Sequence, residues 1–488
     1  MLLLYSTLKA IFIPLTWDEI YTFEHYVKNG IIFLHQYNAI DANNHLLNTW
    51  LMELTYKLFG NSEWAMRLPN LIAQLVFLIY SGKLAMRLST KVLTITAFLI
   101  LNLNPFLNDY FILARGYGLS SGLLMMSLYF TYRYIEEKSS YSTAFIAVFT
   151  ASITLLANFT LLNYALLLPL IFISINYYRT LRMPVDTSDS ITNNKVSKLL
   201  FRINSILILI PLAVLLIAIP ILIKLRNAKA LIAGGDDGFF INTAVPLIQK
   251  SFNNTPIVVQ GILFFEGIVI AIMILSFILI LLKFKRDKTI LTHSFFIVIF
   301  VMIIGCMVAN ILQHQWFGIL YLKDRTALMY LPLFSILLIC FLENVNVYLK
   351  RITAMFSVIL CVVMLLNFIH GMSMVRVINH YWDTDLRDMI MYLKQHHKEN
   401  TNDTKCLTIV VDRAFEEDLN NYKTIYTMDW LCKVDAADTL NPANDYFYIS
   451  TNHLKLFDKN SYTILQTFPK TNMVLVKNTM PKNHSAMK

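Results

Sequence analysis

Two adjacent carboxylates, Asp18 and Glu19, stand in the segment TWDEIYTFEHY, where the chain leaves its first apolar run. A carboxylate at a membrane–water boundary can act as a general base, because partial burial tunes its pKa and both lipid-borne and water-borne substrates can reach it. The same residues also fit a helix start, with Thr16 or Asp18 as N-cap and Glu19 favouring the helix dipole. Spacing alone leaves both interpretations open.

A second polar segment, DANNHLLNTW, places Asn44 and His45 just ahead of a helical pattern that leads to Arg67 at the mouth of the next apolar run. These side chains could position an acceptor or bind a phosphate. The alternatives are an asparagine that caps the helix, a structural histidine, and an arginine that reaches lipid headgroups.

A third segment, NDYFILARGYG, contains Asp109, Arg115 and Tyr117 at the end of another apolar run. An arginine at membrane depth is costly unless it is paired or faces a polar cavity. This favours a cavity-facing Arg115, and the alternative is an Asp109–Arg115 ion pair that only joins two helices.

The elements that hold these residues belong to a membrane protein. Of 488 residues, 56% are hydrophobic and 15% are charged, and the mean hydropathy of +0.55 is too high for a water-soluble surface. Runs near the roughly 20 residues that cross a bilayer predict about eleven transmembrane helices. They lie near 1–15, 66–86, 92–109, 118–134, 142–157, 160–177, 203–223, 257–282, 293–312, 327–343 and 352–371. The first is the weakest, because it is short and contains Lys9.

Cations in the short loops set the predicted orientation. Those that share one side, and so mark it as cytoplasmic, are Lys83, Arg87, Lys91, Arg133, Lys138, Arg179, Arg182, Lys195, Lys198, Arg202, the KFKRDK run at 283–288, Lys350 and Arg351. The long loops 16–65 and 224–256 and everything after about 372 are then on the outer face. The excess of 41 Lys and Arg over 31 Asp and Glu is thus mostly a topology signal, and nucleic acid is not expected as a partner.

Two stretches on the predicted outer side carry cations that the positive-inside rule should deplete there: Lys224, Arg226 and Lys229 in the first, and Lys323 and Arg325 in the second. They indicate an anionic partner at the headgroup plane, for which a lipid phosphate is the obvious candidate. Contact with ordinary anionic phospholipid is the alternative. The nearby Asp236 and Asp237 are weak candidates for a divalent cation.

The chain turns polar after His370. A helical pattern at Leu386, Met389, Ile390 and Leu393 and four strand-like runs, CLTIVV, DYFYIS, SYTILQTF and NMVLVKN, predict a small α/β domain at 378–488, after a membrane domain at 1–377. Cys406 and Cys432 can pair if this domain faces an oxidising compartment. The sequence contains no GxxxxGK[ST], GxGxxG after a strand, HExxH or GxSxG, so nucleotide, dinucleotide and standard hydrolase chemistry lack support.

Four segments in order make the sequence similar to the GT-C superfamily of membrane glycosyltransferases. They are the DE pair, NNHLLNTW…LFGNSEWAMRLPNL, ARGYGLS and DRTALMYLPL. The branch it most resembles contains dolichyl-phosphate-mannose protein mannosyltransferases and aminoarabinose transferases. The resemblance covers 10–180 well and 310–345 loosely. The chain differs from the family at His45-Leu46-Leu47, where the family often has HPPL. The chain also lacks the MIR domain of the eukaryotic enzymes, which favours a bacterial enzyme.

The resemblance implies an active site in an outer-face cavity, with a polyprenyl-phosphate-linked sugar as donor. Asp18 matches the acceptor's base and Glu19 the second acid, while Arg115 and Arg325 match arginines near the donor phosphate. The full expected set is Asp18 and Glu19 for catalysis; Arg67, Arg115, Lys224, Arg226, Lys323 and Arg325 for donor phosphate and lipid; and Asn44, His45, Asp109 and Tyr117 for the acceptor.

We therefore expect transfer of a hexosyl or pentosyl group to a glycan, lipid or protein acceptor, by one inverting displacement. The expected location is a bacterial inner membrane, with the site and the C-terminal domain on the periplasmic side. No cofactor is certain, and a divalent cation stays open. The rival from another class is a multi-pass transporter or lipid flippase, although we find no internal repeat of the kind transporters show. A membrane scaffold that presents the C-terminal domain is a third interpretation.

Overall fold

The computed structural model of the chain describes residues 1–28, 42–137, 139–181, 190–230, 234–378, 380, 383–399, 406–432, 434–436, 444–455 and 461–479. Parts of the predicted outer loops 16–65 and 224–256 and of the cytoplasmic linker 183–198 lie outside this set.

Helices dominate the described residues. In chain order they are α1 (Leu2–Phe12), α2 (Trp17–Thr22), α3 (Leu46–Phe59), α4 (Glu63–Ala85), α5 (Lys91–Asn102), α6 (Pro105–Phe111), α7 (Gly116–Ile135), α8 (Tyr141–Ala157), α9 (Leu162–Leu181), α10 (Ser190–Asn227), α11 (Val245–Ser251), α12 (Pro256–Gln260), α13 (Ile262–Arg286), α14 (Phe295–Phe317), α15 (Tyr330–Asn346), α16 (Lys350–Gly371), α17 (Leu386–Glu399), α18 (Glu416–Ile425) and α19 (Thr451–Leu454).

Each of the eleven predicted membrane spans coincides with a helix or a helix pair, and the fold is that of an α-helical polytopic membrane protein. Within the described residues, six helices are long and apolar enough to cross a membrane. A seventh span is added if α5 and α6, which meet at a bend of 59°, are counted as one. Three more apolar helices, α1, α8 and α15, are shorter.

The bend between α5 and α6 has a local cause in the sequence. Asn104 caps the second helix, since its side chain accepts a hydrogen bond from the amide of Leu107 at 3.1 Å, and Pro105 stands at the first helical position. Proline there has no amide hydrogen to lose and a φ suited to a helix start. The predicted span 92–109 is therefore two helices.

The chain divides into two compact units. The first unit contains Met1–Ile32, Thr49–Leu68 and Ser373–Lys488, and the second contains Phe33–Asn48 and Pro69–Met372. The α/β region predicted after residue 378 lies in the first unit.

The described part of this α/β region contains a five-stranded mixed sheet. Its strands are β1 (Ile409–Val411), β2 (Asp435–Ala436), β3 (Tyr446–Ser450), β4 (Tyr462–Phe468) and β5 (Met473–Asn478), in the order β2-β1-β3-β5-β4. β1 is parallel to β2 and β3, while β5 is antiparallel to β3 and β4. The predicted helix and all four predicted strand runs are confirmed, and the two-residue β2 was not predicted.

A disulfide joins Cys406 and Cys432, whose Cα atoms lie 5.3 Å apart. The loop it closes contains α18. The pairing that the sequence left open is thus present in the structure.

Candidate active site

The segment before α2 starts that helix with a reciprocal cap. The Glu19 carboxylate accepts hydrogen bonds from the Thr16 amide at 2.8 Å and from the Thr16 hydroxyl at 3.1 Å. The Thr16 carbonyl accepts the first helical bond, from the Glu19 amide. This arrangement matches a capping box, so Thr16 is the N-cap of the two residues that the sequence offered.

Glu19 also forms an ion pair with Arg67 that is shielded from solvent on both sides. Arg67 Nε donates to Glu19 Oε1 at 2.8 Å and Nη2 donates to Oε2 at 2.7 Å, and both side chains are 0% exposed. The other guanidinium hydrogens go to the carbonyls of Ala10, Ile13 and Pro14 at 2.7–2.9 Å. Because a guanidinium has five N–H donors, all of them are used.

This saturation changes the interpretation of Arg67. The sequence predicted that Arg67 would contact a donor phosphate or lipid, but in the described conformation it has no hydrogen left to donate and no exposed surface. Instead it ties Glu19 and the chain before α2 to the start of α4. Paired charges of this kind are strongly destabilised when one partner is removed, because the other is left buried and unpaired.

Asp18, one residue earlier, has different surroundings. Its carboxylate is about as buried, at 5% exposure, but it lies near a histidine of the C-terminal region. His380 Nε2 is 3.7 Å from Asp18 Oδ2, and His380 Nδ1 is 3.8 Å from Asp383 Oδ2. Asp383 Oδ2 in turn accepts a hydrogen bond of 3.4 Å from the Trp17 amide. One imidazole thus stands between two carboxyl groups.

The carboxyl groups around Asp18 favour their neutral forms. Burial raises the pKa of Asp383 to about 8; the nearby charges of Asp18 and Glu19 add to this, against the opposing hydrogen bond from Trp17. Burial also raises the pKa of Asp418 well above its ordinary value, helped by Asp383, Glu417 and Asp18. The shifts arise because low-dielectric surroundings and like charges both disfavour a carboxylate.

The helix that carries Asp418 packs against α2 and is fixed by two tyrosines. The hydroxyl of Tyr422 accepts a hydrogen bond of 2.6 Å from the Leu15 amide, and the hydroxyl of Tyr426 donates one of 3.3 Å to Glu63. α18 is therefore tied to the chain just before Asp18, so the C-terminal region contributes to the surroundings of this carboxylate.

The second unit brings together three other predicted residues, His45, Arg115 and Tyr117. The rings of His45 and Tyr117 meet edge to face at 4.8 Å, and the guanidinium carbon of Arg115 is 5.8 Å from the Tyr117 ring centre. Arg115 is 2% exposed and donates to the Asn43 carbonyl at 3.4 Å. Asp109, on α6, is 5% exposed, and Asn44 is half-buried directly before His45.

Close packing at Gly116 and hydrogen bonds made by the side chains of Asn48 and Asn70 fix Arg115 at the start of α7. A Cβ on Gly116 would lie 1.8 Å from the Ala157 carbonyl oxygen and 2.7 Å from His45, so only glycine allows this close packing. Asn48 Nδ2 donates to the Ala114 carbonyl at 2.8 Å, and Asn48 Oδ1 accepts from Asn70 at 2.7 Å. Asn48, in the first turn of α3, thus positions the turn that carries Arg115.

The four remaining predicted cations lie at helix ends of the second unit. Lys224 and Arg226 are exposed in the last turn of α10, Lys323 is exposed, and Arg325 is half-buried in the 3₁₀ turn Asp324–Ala327. The loop before α11 contacts this turn, since Gly235 and Tyr321 form a two-residue β-bridge and the Thr243 hydroxyl donates to the Leu322 carbonyl at 2.6 Å. The segment before α11 and the segment that carries Lys323 and Arg325, both predicted to lie on the outer face, are therefore joined.

Among the described residues, no group of three or more His, Cys, Asp or Glu side chains is arranged to hold a metal ion. Sequence reasoning missed His380, Asp383 and Asp418. The first two follow soon after the last apolar run, in NHYWDTD, where a histidine and two aspartates among aromatic residues were an available signal. Asp418 lies in a polar helix and gave none.

The chain is similar to known proteins in a segment of its sequence and in its fold. Residues 44–186 match the family model for dolichyl-phosphate-mannose-protein mannosyltransferase. No curated protein sequence matches the chain. The structure is similar to that of ArnT from Cupriavidus metallidurans bound to undecaprenyl phosphate, at 14% identity, a TM-score of 0.50, and coverage of 97% of this chain and 96% of that one. The same protein in its apo state gives the same values.

A weaker likeness, with a TM-score of 0.42 and 12% identity, is to the oligosaccharyltransferase of Archaeoglobus fulgidus in complex with Zn and sulfate, over 99% of this chain and 74% of that one. The chain therefore shares the fold of ArnT along almost its whole length, and its segment 44–186 is similar to the dolichyl-phosphate-mannose-protein mannosyltransferase family.

Proposed function

We propose that this protein transfers a sugar from a polyprenyl-phosphate-linked donor to an acceptor at the outer face of a bacterial inner membrane, with Asp18 as the base. The observation that carries the proposal is the contrast between two adjacent carboxylates. Glu19 is fully engaged by Arg67, whereas Asp18 lies within ion-pair distance of a titratable imidazole. Of the two, Asp18 is the carboxylate that can exchange a proton.

The reaction follows from one displacement. Asp18 takes the proton of the acceptor hydroxyl or amine, whose oxygen or nitrogen attacks the anomeric carbon of the sugar. The bond from that carbon to the phosphate oxygen breaks, and the lipid phosphate departs with the electron pair. A single displacement inverts the anomeric configuration, and a general base of this kind contributes about 10²–10⁴-fold to the rate.

Cations of the second unit are suited to the departing phosphate. Arg115 precedes the first turn of α7, where the helix dipole adds to the attraction for an anion. Arg325, Lys323, Lys224 and Arg226 are the further candidates for this charge. Arg67 is removed from the set because its donors are saturated. The similar ArnT structure has undecaprenyl phosphate bound, which supports a donor of the same chemical class.

The proposed acceptor-positioning residues are Asn44, His45, Asp109 and Tyr117, as the sequence predicted. His45 and Tyr117 contact each other, and both lie beside Arg115. The contact between His45 and Tyr117, with Arg115 beside the Tyr117 ring, supports a location that an acceptor and a phosphate could share.

The proposal is tested with purified protein in nanodiscs and a panel of polyprenyl-phosphate sugars, hexoses and pentoses alike. We expect at least one donor to yield free polyprenyl phosphate and a glycosylated acceptor of inverted anomeric configuration, detected by mass spectrometry and NMR. A variant with Asp388→Asn, an exposed carboxylate of α17, serves as the matched control and should retain the activity.

Two outcomes would overturn the proposal. One is the absence of any glycosidic product across the panel while the protein remains folded and binds the lipid. The other is movement of an intact lipid or solute across the membrane of a proteoliposome, which would favour the transporter or flippase alternative.

A further inference from the structure

The C-terminal α/β region supplies a histidine to the surroundings of Asp18. We propose that His380 is a positioning residue for Asp18: its imidazole, which lies between Asp18 and Asp383, orients the Asp18 carboxylate and keeps it in the ionised form that can accept a proton. The inference rests on the proposed function for its catalytic meaning, but the state of Asp18 can be measured without it.

The geometry places one imidazole nitrogen near each carboxyl group. Nε2 is 3.7 Å from Asp18 and Nδ1 is 3.8 Å from Asp383, with all three side chains at 8% exposure or less. Catalytic contacts of this length are common in proteins without substrate and shorten when substrate binds. The buried imidazole thus has a carboxyl partner on each of two opposite edges of its ring.

In this proposal, Asp383 sets which imidazole nitrogen carries the hydrogen, because it lies 3.8 Å from Nδ1. Because its carboxyl is buried beside other acids, the neutral form is favoured near neutral pH. A neutral carboxyl group can donate its hydrogen to Nδ1, which leaves the Nε2 hydrogen directed at Asp18. A partner on one ring nitrogen fixes the tautomer and orientation of the other in this way. A hydrogen bond to the charged form of Asp18 then stabilises the carboxylate.

Other charged groups act on Asp18 as well. The charge of Asp18 raises the pKa of both Asp383 and Asp418, and the charge of Glu19 also raises the pKa of Asp383. Asp383 and Asp418 oppose ionisation of Asp18 only where they are themselves ionised, and the Arg67 guanidinium neutralises the charge of Glu19. Glu417 acts on the same cluster through Asp418. A donor such as His380 is what this acidic surrounding needs if Asp18 is to stay ionised.

The first test reads the protonation of Asp18 directly. Dicyclohexylcarbodiimide reacts with protonated carboxyl groups in apolar surroundings, and the modified peptide is quantified by mass spectrometry as a function of pH. We expect His380→Ala to increase the labelling of Asp18 severalfold at neutral pH, and added imidazole to reverse the increase. Unchanged labelling at every pH would overturn the inference.

The second test uses turnover of the full-length protein. We expect His380→Ala to lower kcat by about 10- to 100-fold with little change in KM, the range typical for residues that orient a reactive group, and imidazole to restore part of the rate. His380→Gln, which keeps an N–H donor, should retain more activity. It also covers the case in which the alanine variant fails to fold.

A matched control is available in the same region. His453 also pairs with an aspartate, at 3.0 Å from Asp412, but the histidine side chain is 58% exposed. His453→Ala should leave both labelling and kcat unchanged. If wild-type protein shows no turnover, the proposed function fails while the labelling still decides the role of His380. If wild type turns over and His380→Ala matches it in both measurements, only the inference fails.

Discussion

Glu19 and Asp18 are neighbouring carboxylates at the start of α2 that differ in the groups beside them: a guanidinium for Glu19 and an imidazole for Asp18. Glu19 accepts two hydrogen bonds from Arg67 and two from Thr16, all between 2.7 and 3.1 Å. Asp18 lies 3.7 Å from an imidazole that a second acid also approaches. The first arrangement favours a structural anchor with a fixed charge, and the second favours a group that exchanges a proton.

The difference teaches that buried charge alone does not identify a reactive residue. Asp18, Glu19 and Arg67 are all buried, and the sequence assigned all three to catalysis or donor binding. What distinguishes them is the partner: Glu19 and Arg67 bond each other, whereas Asp18 lies beside the imidazole of His380. Arg67 has all five donors engaged, so we assign it to holding α2 in place.

The largest expected effect comes from breaking the anchor. Arg67→Met should lower the free energy of unfolding by about 3–5 kcal/mol, because it leaves Glu19 charged and buried without its partner. Thermal or denaturant unfolding in detergent measures the loss. The double variant Glu19→Gln, Arg67→Met should recover much of it, since no unpaired charge remains.

Arg87→Met is the control for this change. Arg87 pairs with Glu137 at 3.0 Å, but its side chain is 44% exposed, and exposed pairs contribute about 0–1 kcal/mol. Equal losses for Arg67→Met and Arg87→Met would contradict the assignment of Arg67 as an anchor.

The disulfide should matter mainly to the Asp18 region. Cys406 and Cys432 are 26 residues apart, and the loop they close contains α18, which packs against α2. Restricting a loop of this length in the unfolded chain typically contributes about 2–4 kcal/mol. We expect the double variant Cys406→Ser, Cys432→Ser to show that loss in thermal unfolding and a lower kcat. Reductant should lower the thermal unfolding transition of the wild type but not that of the variant. An equal shift in both proteins would contradict the stabilising role of the disulfide.

The smallest effect, for a change of one pH unit, is a pH dependence of stability. Asp383 has a pKa raised to about 8 by burial and neighbouring acids, whereas in an unfolded chain it titrates near 4. The folded protein therefore retains a proton that the unfolded chain releases between these values. The resulting stabilisation is fully present below about pH 4 and is lost as the pH rises to about 8, with a slope of at most about 1.4 kcal/mol per pH unit.

Asp383→Asn should reduce that slope in unfolding measurements across pH 4–8 and leave the part contributed by Asp418, whose pKa is also raised by burial. The exposed Asp388→Asn serves as the control and should leave the slope as in wild type. A wild-type stability that rises with pH throughout this window would show that Asp383 is ionised in the folded protein.

Much of the fold could be predicted from the sequence, because membrane spans and strands leave local signals. Apolar runs located the eleven helical regions, and alternating apolar residues located β1, β3, β4 and β5. β2 consists of Asp435 and Ala436, too short and too polar for any strand pattern. The bend at Pro105 was hidden because the apolar run continues through it.

The candidate site was only partly predictable. Asp18 and Arg115 lie in segments whose polar residues interrupt apolar runs, and such interruptions are recognisable in the sequence. The Glu19–Arg67 pair joins residues 48 positions apart and could not be derived from spacing. The contribution of His380 to the Asp18 region depends on the packing of the C-terminal region, and a single sequence gives no measure of that.

The most direct test of the account compares Asp18→Asn with Glu19→Gln in one transfer assay and one unfolding assay. We predict that Asp18→Asn lowers kcat by about 10²–10⁴-fold, the usual contribution of a general base, and leaves the unfolding transition close to that of wild type. Glu19→Gln should lower the unfolding transition clearly, because it removes the partner of a buried arginine. Near-full transfer by folded Asp18→Asn would contradict the account.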